Sequence, residues 1–567
     1  MGIMDPMRPG LSTPTPATPH RQAPSSAISQ DRYWDWLALV LLGALLLFVL
    51  ATFDKHGISN DEPVQHTYGR LLLDFYGSGF TDLHAFDYIN LHLYGGLFDM
   101  LAAALEPYSP WSVWDLRHLL SALFGVAGIA FASLTARQLA GPRAACLTGL
   151  VLGLTGAWTG AMFTHTKDIP FGTAMIAAVF FSTGLLRQLP RPSVGNLIGV
   201  GLALGCAMGL RVGGLFALFY LGTGVILVLL SHSRSVSDAL LLVRQCLPRL
   251  LLAIALAIAV MAFTWPWSVM GWHNLFDAAT RFSHFNFDMK TQLAGTLYPI
   301  SQLPRTYLAH YLLLRVPELL LLGLLAAALW GALGLWRSKQ PRMPLLRLPI
   351  ASLPLVPVVL AALFPVLFSL ATAPALYNGI RHFSFVLPPL AVLAGLGLDA
   401  LLKSLKTRRA VLLTATALLL ALGTDNLLLM LRLHPYQYVA YNHLAGGLEG
   451  VFRRYELDYW NDGARESAHL LNRLLRDELG SAPAELTVAF CGESVQVNEF
   501  LDSRFRVVRD WPSADFFVSA TQTGCDKAMN GTLIGQVERD GVPLMVIKDR
   551  RELVGPDRLV IDESPGT

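Results

Sequence analysis

Two adjacent carboxylates, Asp61 and Glu62, follow the first long apolar run of the chain in the stretch GISNDEPVQHTYG (57–69). A carboxylate can act as a general base, and ionisable residues close to a membrane span commonly mark a functional site. The same pair also suits a helix beginning near Pro63, because acidic residues stabilise a helix N-terminus through its dipole. This stretch alone leaves both interpretations open.

A second group of ionisable residues occurs in FTHTKDIPFG (163–172), just before another apolar run. The group consists of His165, Lys167 and Asp168. An acid shortly before a proline is an ordinary helix-start signal. Three ionisable side chains in so short a connection between two apolar runs nevertheless favour a site.

Basic residues with the chemistry of phosphate binding occur twice more. Arg381 lies in YNGIRHFSFVLPP (377–389), and Arg211 lies in GLRVGG (209–214). A guanidinium can hold a phosphate bidentately at the membrane surface, although an arginine that only snorkels to the interface is the alternative.

Further polar residues near these groups are candidates for lining a substrate pocket. His66 follows the acidic pair by one helical turn, and the mixed stretch 86–105 suits a helix lying in the membrane interface. The pocket candidates are His66, Tyr68, His92, Tyr94, His165, Tyr377 and His382.

The elements that must position these residues are predicted to be membrane-spanning helices. The chain has 567 residues, is 53% hydrophobic and 15% charged, and has a mean hydropathy of +0.47. A soluble protein would expose too much apolar surface at this composition. The formal net charge of +3, without a Lys/Arg-rich stretch interleaved with aromatics, gives no indication of nucleic-acid binding.

Apolar runs of bilayer length predict about eleven spans. They lie near 33–53, 117–137, 144–163, 169–187, 195–210, 213–231, 249–269, 311–336, 350–373, 383–402 and 410–431. Loops rich in Lys and Arg alternate with loops that carry a single basic residue. Because basic residues concentrate on the cytoplasmic side, we expect a cytoplasmic N-terminus in a plasma (inner) membrane. Loops 54–116 and 270–310, and the chain after about 432, are then on the outer face.

The two ends of the chain differ from its centre. Residues 1–32 are rich in Pro, Ser and Thr and are predicted to be a disordered tail before the membrane domain, 33–431. Residues 432–567 alternate a helical pattern with short β-rich runs, which predicts a small α/β domain. Cys491 and Cys525 both fall in this outer domain, where a disulfide is permitted. The fold class is thus a polytopic α-helical membrane protein with a C-terminal α/β domain.

Taken together, these motifs resemble the GT-C class of glycosyltransferases that use polyprenyl-phosphate-linked sugars. The acidic pair after the first span, the acid-x-Pro of DIP and the Arg-aromatic-Leu-Pro turn carry the resemblance. It is nearest to family 39, the branch of protein O-mannosyltransferases and lipid A aminoarabinose transferases. The tail stretches HPYQYVAYNHLAGG and RYELDYW look like a stretch that recurs in bacterial members. Val64 stands where aminoarabinose transferases tend to carry Arg, which leaves the donor sugar and acceptor open.

The resemblance implies a catalytic reaction and a role for each matching residue. A sugar would pass, with inversion, from a polyprenyl-phosphate donor to a hydroxyl of a protein, lipid or glycan on the outer face. Asp61 would be the general base with Glu62 as its neighbour, and Asp168 the second acid. Arg381, with Arg211 or Lys167, would hold the donor phosphate.

The sequence assigns no cofactor, because no HExxH, CxxC or GxxxxGK[ST] spacing occurs. Glu62 could tune Asp61 by like-charge repulsion, the interpretation we favour, or could hold a divalent cation with His66 or His165. Two other functions remain open. One is a secondary transporter, and the other is a non-catalytic envelope scaffold with a binding tail.

Overall fold

The computed structural model describes residues 25–233, 235–283, 289–337, 350–476 and 486–554. The first part of the chain forms helices α1 (Ser25–Thr52), α2 (Glu62–Gly77), α3 (His84–Asp87), α4 (Leu97–Leu105), α5 (Val113–Ala140), α6 (Pro142–Gly153), α7 (Gly156–Thr159), α8 (Ala161–Thr164), α9 (Asp168–Gln188), α10 (Val194–Met208) and α11 (Leu215–His232). The next part forms α12 (Val236–Thr264), α13 (Trp267–Met270), α14 (Asn274–Ser283), α15 (Tyr307–Arg315), α16 (Glu318–Arg337), α17 (Val356–Thr372), α18 (Leu387–Ser404) and α19 (Arg409–Leu433).

These helices make the chain a multi-pass helical membrane protein. By length and composition, 8 helices of the described residues can cross a membrane, or up to 10 if each of two bent pairs is one span. The bent pairs are 142–153 with 156–164 and 307–315 with 318–334, and α10 is a shorter apolar helix. Each of the eleven predicted apolar segments coincides in most of its length with one of these helices or bent pairs, so the lower count reflects bends and one short helix.

The start of the chain departs from the predicted tail. Helix α1 begins at Ser25, so residues 25–32, which we expected to be disordered, are helical. They continue without a break into the first apolar run, because no proline or glycine separates the two parts. The rest of the predicted tail, residues 1–24, lies outside the described residues.

The most buried spans, α9 and α18, begin at the same end of the bundle, which we call the site end. In their most apolar windows 89% and 72% of residues are buried. Helix α9 packs against α5 and α10, and α18 packs against α16 and α6. The ends of these two helices are therefore held firmly by their neighbours.

The loop 54–116 contains less helix than expected in its second half. Between the end of α3 at Asp87 and the start of α5 at Val113, only Leu97–Leu105 is α-helix, and the two glycines before it dock on the bundle. The amide of Gly96 donates to the carbonyl oxygen of Thr264 over 2.9 Å, and a Cβ on Gly95 would lie 2.0 Å from the carbonyl oxygen of Gly209. This close approach replaces the continuous interfacial helix predicted for 86–105.

The loop 270–310 carries a short antiparallel hairpin of β1 (Lys290–Leu293) and β2 (Thr296–Pro299). The buried carboxylate of Glu456 accepts hydrogen bonds from the hydroxyl of Thr291 at 2.6 Å and the amide of Gln292 at 2.7 Å. Thr291 also contacts the hydroxyl of Tyr307 at 2.9 Å. The hairpin is thereby fixed to the segment that follows α19.

The C-terminal domain is built on a five-stranded mixed sheet of order β4-β3-β5-β7-β6. The strands are β3 (Leu486–Cys491), β4 (Phe505–Val508), β5 (Phe516–Ala520), β6 (Thr532–Arg539) and β7 (Val542–Asp549), and the helices after α19 are α20 (Gly447–Val451), α21 (Gly463–Leu474) and α22 (Val495–Asn498). Strand β3 is parallel to β4 and β5, whereas β7 is antiparallel to β5 and β6. Cys491 at the end of β3 forms a disulfide with Cys525.

The segment between α19 and α21 packs on the site end of the bundle. A Cβ on Gly160 would lie 2.0 Å from the amide nitrogen of Tyr438. The Asn442 side-chain amide donates to the carbonyl oxygens of Leu313 and Val316 at 2.7 and 2.8 Å. The tail is therefore packed against the membrane domain from its first residues onward.

Burial raises the pKa of Glu456 to about 7, although the hydrogen bonds from Thr291 and Gln292 and the charge of Arg315 oppose the rise. The folded state then binds a proton that the unfolded chain releases near pH 4.5. The contribution of this carboxyl to the unfolding free energy should therefore be largest below pH 4.5 and should fall as the pH rises to about 7.

Glu456→Gln should flatten this part of the pH profile, measured as the denaturation midpoint in detergent. Glu449→Gln, at an exposed position of α20, is the matched control and should keep the wild-type slope. An unchanged slope in Glu456→Gln would contradict the raised pKa of this carboxyl.

Candidate active site

Four segment ends meet at the site end of the bundle and bring its ionisable residues together. Asp61 immediately precedes α2, and Asp168 is the first residue of α9. Arg381 begins the 3-10 turn 381–386 that leads into α18. Arg211 lies in the break between α10 and α11. The prolines and glycines around these positions end or begin the helices, so each side chain projects from a helix terminus.

Asp61, Arg381, Asp168 and Arg211 form one continuous chain of ion pairs. Arg381 Nη2 donates to Asp61 Oδ2, and Arg381 Nε donates to Asp168 Oδ2 over 3.2 Å. Arg211 Nη2 pairs with the other oxygen, Asp168 Oδ1. Asp168 thus holds two guanidinium groups in place, and only one of them also reaches Asp61.

Arg381 is fixed by stacking as well as by charge. Its guanidinium carbon lies 3.9 Å from the ring centre of Trp460 and 5.6 Å from that of Tyr377. The side chain is only 6% exposed. Arg381 therefore does not snorkel to the surface, which was the alternative interpretation of a lone arginine at this position.

Lys167 differs from the two arginines in its partner. Its ammonium nitrogen lies 4.1 Å from the ring centre of Tyr94, and among the described residues it has no ion pair with a carboxylate. Burial lowers the pKa of Lys167 to about 8, while Asp99 and Asp61 oppose the change and the arginines add to it. The ammonium is thus a buried cation available to an anionic ligand.

The charged residues line a polar cavity that adjoins a larger apolar one. The polar cavity has a volume of about 160 Å³, and its walls include Asp61, Asn90, Lys167, Arg211 and Arg381. The apolar cavity has a volume of about 670 Å³ and is walled mainly by aromatic and aliphatic residues such as Phe171, Phe216, Phe368, Leu376 and Phe385. Both cavities share Tyr94, Arg211, Tyr377 and His382.

Glu62 belongs to a separate, fully buried network behind Asp61. Its Oε2 accepts from the amide of Ser59 at 2.8 Å and contacts His118 Nε2 at 3.2 Å, and Arg117 Nε lies 3.6 Å from Oε1. Burial, the largest influence, raises the pKa of Glu62, but His118, Arg117 and the Ser59 amide together bring it below its ordinary value. Glu62 is therefore held in its ionised form. It does not line the polar cavity.

Several predicted pocket residues are also placed outside the cavity. His66 Nε2 lies 3.2 Å from Glu106, and burial lowers the pKa of His66. The Tyr68 hydroxyl donates to the carbonyl oxygen of Tyr94. His92 packs on Trp267, and His165 contacts the hydroxyl of Tyr459 at 2.7 Å. The structure brings only Tyr94, Tyr377 and His382 of the predicted pocket residues to the cavity.

Metal binding was an open expectation for Glu62 with His66 or His165. Their side chains are committed to different partners, as described above. Within the described ranges no group of three or more His, Cys, Asp or Glu side chains could hold a metal ion.

Sequence reasoning missed the residues that support the site from other elements. Arg117 and His118 lie near the start of a predicted span, and two ionisable residues there were the signal that could have shown them. Arg117 Nη2 donates to Asp99 Oδ1 over 2.8 Å. Trp460 gave no such signal, because its place beside Arg381 depends entirely on the packing of the tail.

Comparison with known proteins gives similarity at the level of fold. No protein-family model and no curated protein matches the chain. The chain is 18% identical to ArnT from Cupriavidus metallidurans in the apo state, with a TM-score of 0.44 over 94% of this chain and 100% of that one. It is 12% identical to the apo Archaeoglobus fulgidus oligosaccharyltransferase, with a TM-score of 0.45; the match covers 85% of this chain and 69% of that one. It is 14% identical to the arabinofuranosyltransferase AftD from Mycobacteria, with a TM-score of 0.37; the match covers 91% of this chain and 40% of that one.

All three TM-scores are below 0.5 and all three identities are below 20%. At such scores the likeness is one of fold in outline. The function proposed below is drawn from the side chains of the site.

Asp168→Asn should destabilise the fold, because it leaves two buried guanidinium groups without their shared carboxylate. Removing one partner of a buried ion pair costs about 3 kcal/mol or more. We expect a lower denaturation midpoint in detergent for Asp168→Asn and a partial recovery when Arg211→Met is added, since the second change removes one uncompensated charge. A double variant that is no more stable than Asp168→Asn would contradict this description of the ion pairs.

Proposed function

We propose that the protein transfers a sugar from a polyprenyl-phosphate donor to a hydroxyl acceptor at the site end of the bundle. The observation that carries this proposal is the junction of two cavities, one lined by cations and a carboxylate and the other apolar. A donor with a phosphate head and a long hydrocarbon tail has the same division of polarity. Residues shared by both cavities would lie at the head-to-tail boundary.

The donor phosphate is assigned to Lys167 and Arg211, with Arg381 behind them. Of the three cations that line the polar cavity, Lys167 is the one without a carboxylate partner among the described residues, and Arg211 lies where the polar and apolar cavities meet. Charge-assisted contacts of this kind neutralise the negative charge that develops on a leaving phosphate. Arg381 is already shared by two carboxylates, so we give it the additional role of orienting Asp61.

Asp61 is assigned as the general base. Its side chain is 39% exposed, the highest exposure among the four ion-paired residues. Arg381 contacts only Oδ2, and Oδ1 has no partner among the described residues. That oxygen can accept the proton of an acceptor hydroxyl that enters the cavity.

The proposed step is one displacement at the anomeric carbon. The acceptor oxygen forms a bond to this carbon while its proton passes to Asp61. The bond from the same carbon to the phosphate oxygen breaks, and its electron pair leaves with the phosphate. A single displacement inverts the anomeric configuration.

The location of the reaction follows from the charge pattern of the loops. We place the N-terminus in the cytoplasm and the site end on the outer face of a plasma (inner) membrane. The acceptor hydroxyl would then belong to a protein, lipid or glycan of the cell envelope. The charged groups lie at helix ends near one face and not at mid-span, which disfavours the transporter alternative.

Asp61→Asn should lower the transfer rate by roughly 10²- to 10⁴-fold, because the amide cannot accept the hydroxyl proton. The assay is transfer of radiolabelled sugar from polyprenyl-phosphate donors to a cell-envelope fraction, with matched amounts of folded enzyme. Asp54→Asn removes a nearby exposed carboxylate and is the control, for which we expect wild-type transfer. Equal rates for Asp61→Asn and wild type would remove Asp61 as the base, and no transfer by the wild type from any such donor would overturn the proposed function.

Deprotonation of Lys167 should make kcat/KM fall at alkaline pH. Its ammonium binds the phosphate, and its pKa is about 8, so kcat/KM should fall as the pH rises through that value. Lys167→Arg should shift the decline beyond the accessible range, because a guanidinium stays protonated to about pH 12. Lys167→Met should raise KM for the donor below about pH 8, where the wild-type ammonium is charged, and the difference from the wild type should shrink above that pH. If Lys167→Arg keeps the wild-type dependence of kcat/KM on pH, the decline is caused by a group other than Lys167.

A further inference from the structure

The C-terminal domain meets the site at the C-terminal end of its strand β3. Strand β3 ends at Cys491, and the following turn leads into α22, which carries the fully buried Gln496. Gln496 Nε2 donates to the carbonyl oxygen of Trp460 over 2.9 Å and to the carbonyl oxygen of Ile58. One side chain of the soluble domain therefore joins the tail segment to the backbone three residues before Asp61.

Asn461 makes a second connection at the same place. Its side-chain amide lies 3.4 Å from Asn60 Oδ1 and 3.3 Å from the carbonyl oxygen of Cys491. Asn461 also adopts the left-handed conformation, with φ of 58°. Its side chain thus bridges the end of β3 to the residue that precedes Asp61.

The tail segment lies so close both to the backbone before Asp61 and to the turn after β3 that two positions, Gly57 and Gly492, have no room for a side chain. A Cβ on Gly57 would lie 2.3 Å from the carbonyl oxygen of Asp462. A Cβ on Gly492 would lie 2.5 Å from Asn461 Nδ2. The contact between the domain and the 57–61 segment is therefore close-packed, and the segment has little freedom to move while it lasts.

The same tail segment also holds the cationic partner of Asp61. Trp460, 3% exposed, places its ring centre 3.9 Å from the guanidinium carbon of Arg381. The preceding Tyr459 contacts His165, close to Asp168 in the chain. Trp460 and Gln496 are linked by the hydrogen bond described above.

We propose that Trp460, Asn461 and Gln496, which we call the domain clamp, are positioning residues for the reaction. The domain clamp fixes the backbone that carries Asp61 and the guanidinium that orients its carboxylate, so the soluble domain is part of the catalytic unit. This inference rests on the proposed roles of Asp61 and Arg381. It goes beyond them by giving the C-terminal domain a function that needs no ligand of its own.

The first test measures the positions directly and does not depend on transfer activity. Gln496→Met keeps the side-chain length but removes both hydrogen bonds that Nε2 donates. Hydrogen exchange of the amides at 58–62 in the full-length protein should then be at least tenfold faster than in the wild type. Phe517→Leu alters a buried core position of the same domain, in a cluster distinct from the one containing Trp460, and should leave this exchange unchanged. Unchanged exchange in Gln496→Met would overturn the domain clamp, whatever the enzyme transfers.

The second test separates positioning from stability in the transfer assay. Trp460→Leu should lower kcat at least tenfold with less than a twofold change in KM for the donor, because the lost ring face touches Arg381, which orients Asp61, and neither Lys167 nor Arg211, the two cations nearest the proposed phosphate position. Trp460→Phe, which keeps an aromatic face, should recover most of kcat. Phe517→Leu should retain wild-type kcat even if its denaturation midpoint falls.

Wild-type kcat in both Trp460→Leu and Gln496→Met would overturn the positioning role while leaving the proposed function intact. If the proposed function is wrong, the wild type will show no transfer. The hydrogen-exchange experiment would still decide whether the domain clamp holds the 57–61 segment.

Discussion

The site depends on the two carboxylate oxygens of Asp168, each of which is paired with a guanidinium. Buried like charges repel strongly at low effective dielectric, so Arg211 and Arg381 can share one small region only because a carboxylate lies between them. The second contact of Arg381 then extends the chain of ion pairs to Asp61. This arrangement also fixes the relative positions of α9 and the 3-10 turn before α18. Stability and the proposed chemistry are linked here, because the ion pairs that hold the two guanidinium groups also orient Asp61, the base that we propose.

The adjacent carboxylates of Asp61 and Glu62 belong to two networks with different environments. Asp61 lies at the cavity, partly exposed, whereas Glu62 is fully buried and surrounded by donors. Adjacent residues at a helix start diverge in this way because successive side chains of a helix point about 100° apart. The pair therefore performs two tasks. The carboxylate of Asp61 lines the polar cavity, and that of Glu62 ties the start of α2 to α5 through Arg117 and His118.

The tail segment after α19 contributes more than a connection to the soluble domain. Its backbone packs on the short helices between α6 and α9, and the ring of its Trp460 covers the guanidinium of Arg381. A cation shielded from water on one face interacts more strongly with its carboxylates on the other. The disulfide between Cys491 and Cys525 lies at the C-terminal end of β3, where the carbonyl oxygen of Cys491 accepts a hydrogen bond from Asn461 of this segment. The same residues therefore stabilise the domain and hold the segment that covers Arg381.

Much of the architecture was determined by local sequence, since hydropathy over the length of a bilayer and the alternation of short β-rich runs act over a few residues. The apolar segments all lie in helices, and LTVAFC and FRVV are strands as predicted, while β6 was missed because its residues are mostly polar. Residue types also singled out Asp61, Asp168 and Arg381. Only the tertiary structure decided that Arg381 pairs with a carboxylate 320 residues away, that Glu62 turns into a separate network, and that Trp460 covers the site. Such contacts join distant parts of the chain, so they depend on how all the helices pack and leave no periodic or local pattern in the sequence.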